Sequence, residues 1–296
     1  MTVVGDVDPN DHDQVILRFR EAAEALRATP GRRGATVHLG NRGRLLVTGD
    51  LHDSQSRFDW VVEQAQLDVD PNHHVVLHEL IHGEDLGEDV DLSYRTLLDA
   101  ASLLLRHPAQ VHLMLANHEL AQMAGQPIRK SGGCMTTRFD LGLRRIFGDH
   151  SPGVVMAIDA FIRAMPIAVR TESGVFCAHS LPGPEMMSRF DLDLVHREIE
   201  PGDYSPFFGS AWMMVWGRRH RPEQILELAA VWQVELFCLG HAWVPAGITI
   251  GGPRMIQLNS DHRNATIVPI DLGEPAPTPE TLCASSVRMV DSEVVM

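Results

Sequence analysis

The chain has 296 residues, 44% hydrophobic and 22% charged, enough apolar side chain to bury one large core or two small ones. Its formal net charge of −14 gives no sequence-level reason to bind nucleic acid or an anionic membrane surface. Divalent cations, or an anionic substrate in a local basic pocket, remain compatible with that charge. The four cysteines, Cys134, Cys177, Cys238 and Cys283, are scattered and form no CxxC pair, which suits a reducing cytoplasm better than a disulfide framework. The first residues show no basic stretch followed by an apolar run, so no secretory leader or membrane span is expected.

Residues 13–28 read as an amphipathic helix with Val15, Phe19, Ala22 and Leu26 on one stripe, stopped by Pro30-Gly31. Val37–Leu39 and Leu45–Thr48 then read as a hairpin across Asn41-Arg42-Gly43. Phe58–Leu67 has helical spacing and Val75–Leu77 is a β-branched run typical of a strand. Ser93 is placed to cap a helix running to Arg106, and Val111–Leu115 is the next strand. This alternation of strand and helix is the pattern of sheets covered by helices. Thr136–Met165 is mostly helical in pattern, and Ile167–Arg170 and Val175–Ala178 are strands. A helix at Pro222–Trp232 leads into the strand Leu236–Leu239. Three short strands, Ile248–Ile250, Met255–Leu258 and Ala265–Ile270, follow. One domain over residues 1–272 is expected, with residues 273–296, which include Pro275, Pro277 and Pro279, as a loose tail.

The chemistry-bearing residues recur just after strands. Leu45–Thr48 runs into Gly49-Asp50-Leu51-His52-Asp53, leaving a carboxylate and an imidazole at the strand's C-terminal end, where α/β sheets usually place ligands. Glu79 follows Val75–His78, Asn117-His118-Glu119 follows Val111–Ala116, His179 follows Val175–Ala178 and His241 follows Leu236–Gly240. Carboxylate, amide oxygen and imidazole together form a coherent ligand set for two divalent cations such as Mn, Fe or Zn.

In order and spacing these blocks resemble the calcineurin-like metallophosphoesterases, within their phosphoprotein phosphatase branch, which includes bacterial diadenosine tetraphosphatase relatives. The family pattern is Gly-Asp-x-His-Gly, Gly-Asp-x-x-Asp-Arg-Gly, Gly-Asn-His-Glu, a histidine after a strand, and Gly-His. The resemblance covers roughly residues 44–272. It departs at Asp53 and Ala116, which stand where the family has glycine, and most of all in the second block. There Glu79 falls at the metal-bridging Asp, with Asp85 as the other candidate, and His82 falls at the second Asp. No Arg stands near Gly83.

The resemblance implies an α/β fold of two mixed β-sheets in a sandwich flanked by helices, a four-layer arrangement. It implies hydrolysis of a phosphate monoester or anhydride, carried by a phosphorylated protein or a dinucleoside polyphosphate, with water activated by two metal ions. Asp50, His52, Glu79 and His241 would serve the first ion, and Glu79, Asn117, His179 and His241 the second. His118 would protonate the leaving oxygen, oriented by Asp85 or Glu119. Arg218 and Arg219 are the leading phosphate-binding candidates, with Arg138 and Arg129 in reserve. His73, His74, His107, His112, His150 and His262 read as structural or surface residues, and Met186-Met187 and Met213-Met214 as core or groove lining.

Two other readings compete. His78-Glu79-Leu80-Ile81-His82 spells HExxH, the zinc-protease motif, which requires a helix so that both imidazoles share a face. The altered second block also allows a phosphatase-like fold that binds a phosphorylated partner without turning it over.

Overall fold

The computed structural model describes residues 7–83, 89–130 and 133–289. In chain order the elements are α1 His12–Arg27, β1 Arg32–Arg33, β2 Thr36–Leu39, β3 Arg44–Asp50, α2 Gln55–Ala65, β4 His73–His78, α3 Tyr94–Arg106, β5 Val111–Met114 and α4 Asn117–Met123. After these come β6 Arg129–Lys130, β7 Gly133–Cys134, α5 Met135–Phe147, α6 Ser151–Ala164, β8 Ala168–Thr171, β9 Val175–Ala178, α7 Ser210–Trp216 and α8 Pro222–Trp232. The last are β10 Leu236–Leu239, β11 Ile248–Gly252, β12 Met255–Leu258, β13 Thr266–Asp271, α9 Pro279–Ala284 and β14 Val287–Arg288.

Two mixed sheets carry the fold. One has the order β1-β2-β8-β9-β10-β12-β11, the other β14-β13-β3-β4-β5. Within the second, β3, β4 and β5 run parallel while β13 is antiparallel to β3. Within the first, β9, β10 and β12 run parallel. Alternation along the strands explains how the sheets stack. Leu45 and Val47 on β3, Val76 on β4 and Val268 and Ile270 on β13 pack against Val37, Val169, Cys177, Cys238 and Ile256 of the other sheet. Their neighbours Leu46, Val75, Leu77, Val111 and Leu113 turn to the opposite face and join the larger, helix-covered core. On the far side, Trp232 at the end of α8 stacks on Phe176 of β9 with ring centroids 5.5 Å apart. Two sheets face to face with helices outside give the four-layer sandwich that the resemblance implied. No helix among the described residues is long and apolar enough to cross a membrane.

Three local expectations are corrected. β2 and β3 form no hairpin: β2 pairs with β1 and β8, while β3 pairs with β4 and β13. Each of the two strands has an apolar face, and the chain buries both by sending one strand to each sheet, so that they meet through side chains. The HExxH stretch forms no helix, since His78 ends β4 and both Glu79 and His82 have positive φ, +52° and +61°. The two imidazoles therefore share no helical face, and the zinc-protease reading falls. The stretch after Gly273, expected to be loose, carries α9, capped by the Thr278 hydroxyl accepting from the Thr281 N–H, and β14 paired to β13. Leu282 is 1% exposed and packs into the layer between the sheets, which gives the prolines a fixed route.

That docking has a measurable energy. Leu282→Ala is expected to lower unfolding free energy in urea by about 2–4 kcal/mol, the range for truncating a buried leucine. A change under about 0.5 kcal/mol, the size of an ordinary surface substitution, would show that this stretch holds nothing down.

Candidate metal centre between the two sheets

The centre forms where strand ends from both sheets touch. At the end of β3 the register with β4 shifts between Val47 and Asp50, and Asp50, paired with His78 of β4, also bridges to Asn259, just beyond β12 of the other sheet. Gly49 permits the crossing, because a Cβ there would lie 2.4 Å from the Leu258 carbonyl oxygen. Its N–H donates to Ser260 Oγ at 2.8 Å, and the Ser260 hydroxyl donates on to Thr266 O at 2.7 Å. Gly240, after β10, is equally required: a Cβ would meet His78 Cε1 at 2.3 Å and Asp50 Oδ1 at 2.4 Å.

Around this crossing the backbone is bent into uncommon conformations. His52, Asp53, Glu79, His82 and His241 all have positive φ, a region that non-glycine residues enter rarely and that clusters at functional sites. Asp53 stands where the family has glycine, and the geometry accounts for it. Its φ is +57°, a conformation Asp tolerates better than most residues, and its carboxylate accepts from Thr96 Oγ1 of α3 at 2.5 Å. The N–H groups of Leu51 and His52 donate to Glu79 O at 3.2 and 2.8 Å, and that of Asp53 to Leu80 O at 3.0 Å, so the loops after β3 and β4 are fastened together.

Glu79, Asn117, His179 and His241 meet in this space. His179 Nε2 lies 2.6 Å from Asn117 Oδ1, 3.1 Å from His241 Nδ1 and 3.2 Å from Glu79 Oε2. His241 Nδ1 is 2.9 Å from the same Asn117 oxygen. Asp50 joins from the side, accepting the His241 N–H on Oδ1 at 2.8 Å, with His179 Nδ1 at 3.6 Å. Ligand atoms of Glu79, His179 and His241 lie within 4.8 Å of one another, as do those of Asp50, His78 and His179, and those of His52, Glu79 and His118.

Proton bookkeeping shows what is missing among these atoms. His78 Nε2 lies 2.9 Å from the Thr48 carbonyl, which can only accept, so that nitrogen carries the proton. Burial lowers the His78 pKa to about 4, so its Nδ1 is a bare acceptor and takes the His179 Nδ1–H, 3.1 Å away. Burial holds His179 well below the usual imidazole range too, so it has no second proton. Its Nε2 therefore points a lone pair at the Asn117 oxygen and the Glu79 carboxylate, two further acceptors. Buried lone pairs converging within hydrogen-bonding distance of one another need a cation between them. Burial also pushes the Asp50 carboxyl up to about 7 in the metal-free protein, a shift that a bound cation would reverse. The residues present fit a divalent metal.

The remaining expected residues fall around this cluster. His52 sits on the side of Glu79 and His118, its ring centroid 4.8 Å from that of His118 and its Nε2 3.9 Å from Asp261 Oδ2. His118 Nε2 is 3.4 Å from Glu79 Oε1. Glu119, a candidate to orient His118, instead accepts the N–H groups of Leu80 and Ile81 at 2.8 and 3.3 Å and holds the β4 loop in place. Asp85, the other candidate for that role and for bridging, lies outside the described residues. Arg218 and Arg219 are exposed and border a cleft of about 460 Å³ together with His241 and Trp243, and Arg218 Nη1 donates to His241 O at 3.2 Å. Arg129 is on β6 and Arg138 on α5, and neither borders the clefts beside His52 and His241. His262 lines the cleft on the His52 side, with Nε2 bonded to Val244 O and Nδ1 accepting from the Asn264 N–H.

Arg57, Asp261 and, as a site residue, His78 escaped the sequence reading, and His82 was placed at the family's second Asp without a role at His118. His78 sits directly between Asp50 and His179 but was visible only as part of HExxH. Arg57, in the first turn of α2, lines a cleft of about 990 Å³ with His52 and Trp243, and its Nη1 donates to Asp261 O at 3.0 Å. Its spacing from His52, five residues on and into a helix, was the one available signal.

No family model matches the chain, and no curated protein matches it in sequence. Solved structures do match in fold. A protein serine/threonine phosphatase from Saccharomyces cerevisiae, described as similar to human phosphatase PP5, superposes with a TM-score of 0.65 at 15% identity, covering 88% of this chain and 82% of that one. A cold-active protein-tyrosine phosphatase of a psychrophilic Shewanella gives 0.52 at 11% identity, over 84% of this chain and 80% of that one. The chain has the metallophosphoesterase-type fold of the phosphoprotein phosphatases.

Proposed function

We propose that the protein is a metal-dependent phosphatase that hydrolyses a phosphate monoester or anhydride, carried by a phosphorylated protein or a dinucleoside polyphosphate. The observation that carries this reading is the convergence of buried ligand atoms from Glu79, Asn117 and His179 where the strand ends of the two sheets meet. The matched structures, phosphatases acting on protein serine, threonine or tyrosine by their titles, favour the phosphoprotein substrate.

Glu79, Asn117, His179 and His241 would hold one divalent ion, and Asp50 and His52, with Glu79 and His241 shared, would serve a second. Mn, Fe or Zn each suits this mix of oxygen and imidazole ligands. Such ions supply Lewis-acid polarisation of the phosphoryl oxygens and lower the pKa of water to near neutrality. The chain's own side chains do the rest. His118, its Nε2 facing Glu79, stands where a proton can be given to the leaving oxygen. Arg218 and Arg219 on one rim, with Arg57 on the other, offer guanidinium forks to the remaining phosphate oxygens. The four free thiols suit the reducing cytoplasm expected from the sequence.

The purified protein loaded with Mn²⁺ is expected to hydrolyse p-nitrophenyl phosphate, and chelation to stop it. Asn117→Ala and His118→Ala should each lower kcat by about 10²-fold or more, on the scale of losing a proton donor. A folded, metal-loaded protein without turnover would favour the phosphate-binding module.

The buried His78 predicts a separate effect on metal affinity. His78→Leu removes the acceptor that fixes His179 with its lone pair toward the centre, and is expected to weaken Mn²⁺ binding by about 10- to 100-fold in calorimetry. Unchanged affinity would mean that His179 is oriented by something else.

A further inference from the structure

His118 is held from behind by a chain of side chains that ends on the surface. Gln122 lies one turn after His118 on α4, so both side chains face the loop that follows β4. The Gln122 Nε2 donates to Asp140 Oδ1 of α5 at 2.9 Å, which turns the amide oxygen the other way. That oxygen lies 3.0 Å from His82 Nε2 and can only accept, so His82 carries its proton on Nε2. His82 Nδ1 then presents a lone pair to His118 Nδ1, 3.1 Å away. His82 itself is fully buried and fixed, its N–H donating to Ser93 Oγ at 3.0 Å and its ring standing edge-on to Phe139 at 5.8 Å between centroids.

We propose that His82 is a positioning residue for His118: Asp140, acting through the Gln122 amide and the His82 imidazole, holds the His118 proton on Nδ1 and aims Nε2 into the metal centre. This rests on the reading of His118 as the proton donor. In the reaction so read, the water oxygen bonds to phosphorus and the bond from phosphorus to the leaving oxygen breaks, its electron pair going to that oxygen. The leaving oxygen takes the proton on His118 Nε2, and His118 is left neutral with Nδ1–H still donated to His82. The proton released by water passes to solvent, which re-protonates His118 for the next turnover. An imidazole acceptor here is uncharged, so it orients His118 without adding a negative charge beside the buried Glu79.

The tautomer is measured first, in the metal-free protein, by ¹⁵N NMR of the imidazole whose signals vanish in His118→Asn. The Nδ1–H form is expected in the wild type. Gln122→Leu, and Asp140→Leu at an exposed position, should give a mixture of tautomers, and Asp140→Asn, which keeps an oxygen for the Gln122 amide, should restore the Nδ1–H form. The second measurement compares leaving groups with the Mn²⁺-loaded protein. Gln122→Leu should lower kcat about fivefold more on phenyl phosphate than on p-nitrophenyl phosphate, whose leaving oxygen needs less protonation, with KM changed little. An Nε2–H tautomer in the wild type, or equal losses on the two esters, overturns the proposal. If the wild type turns over neither ester, the phosphatase reading fails, and the tautomer alone decides whether the relay exists.

Discussion

The structure depends on a close approach that only glycine allows. Gly49 lets the end of β3 lie against the Leu258 carbonyl of the other sheet, and Gly240 leaves the space that His78 and Asp50 occupy. Without these two positions the sheets would be held apart at the end where their ligands point. The layer between them packs Leu45, Val47, Val76 and Val268 against Val37, Val169, Cys177 and Ile256, apolar side chain against apolar side chain. The convergence of ligands is thus a property of the sandwich. Two sheets stacked through their alternate side chains leave a seam at the strand ends, and polar atoms from both sides line it.

A seam of this kind is expensive when empty. Asp50, Glu79, Asn117, His179 and His241 are all buried, and His179 Nε2 meets the Asn117 and Glu79 oxygens as one acceptor facing two others. The backbone adds to the cost, with positive φ at His52, Glu79 and His241, each of order 1–3 kcal/mol. The fastening of the β3 and β4 loops through Glu79 O and Leu80 O, and of the β4 loop to Glu119, offsets part of it by fixing these conformations before any ligand arrives. Such pre-organisation is what a tight cation site requires, since the ion then orders little on binding.

The sequence made the candidate strand-end ligands legible because a strand that stops at a polar residue leaves a local signature. Asp50, Glu79, Asn117, His179 and His241 each show it, and all converge. The destination of each strand was less legible: β2 and β3 look like a hairpin because the pairing partner of a strand is a long-range choice, invisible in ten residues. The contact of His82 and Gln122 with the His118 position was not legible for a related reason. One sits in a loop and one on a helix, and only the fold brings them to His118. Leu282 was obscured by composition, since prolines around it suggested a loose tail while a single apolar anchor decides that the tail docks.

The altered second block, which on sequence grounds cast doubt on the site, has a consistent electrostatic reading. By the resemblance, His82 stands for a carboxylate, while His78 fills the space left by Gly240. Among the residues proposed to hold metal, the only carboxylates are Asp50 and Glu79, a formal charge of −2 when both are ionised. Two divalent cations would bring +4, leaving an excess of about two positive charges in a buried seam of low dielectric. A dianionic phosphoryl group is of the size and sign to neutralise that excess. The attraction between centre and substrate would then come mainly from the ions, and the rim arginines Arg218 and Arg219, exposed and screened by solvent, would serve to orient the group. On this view, replacing a carboxylate by an imidazole strengthens the centre's demand for phosphate while leaving His118 an acceptor to lean on.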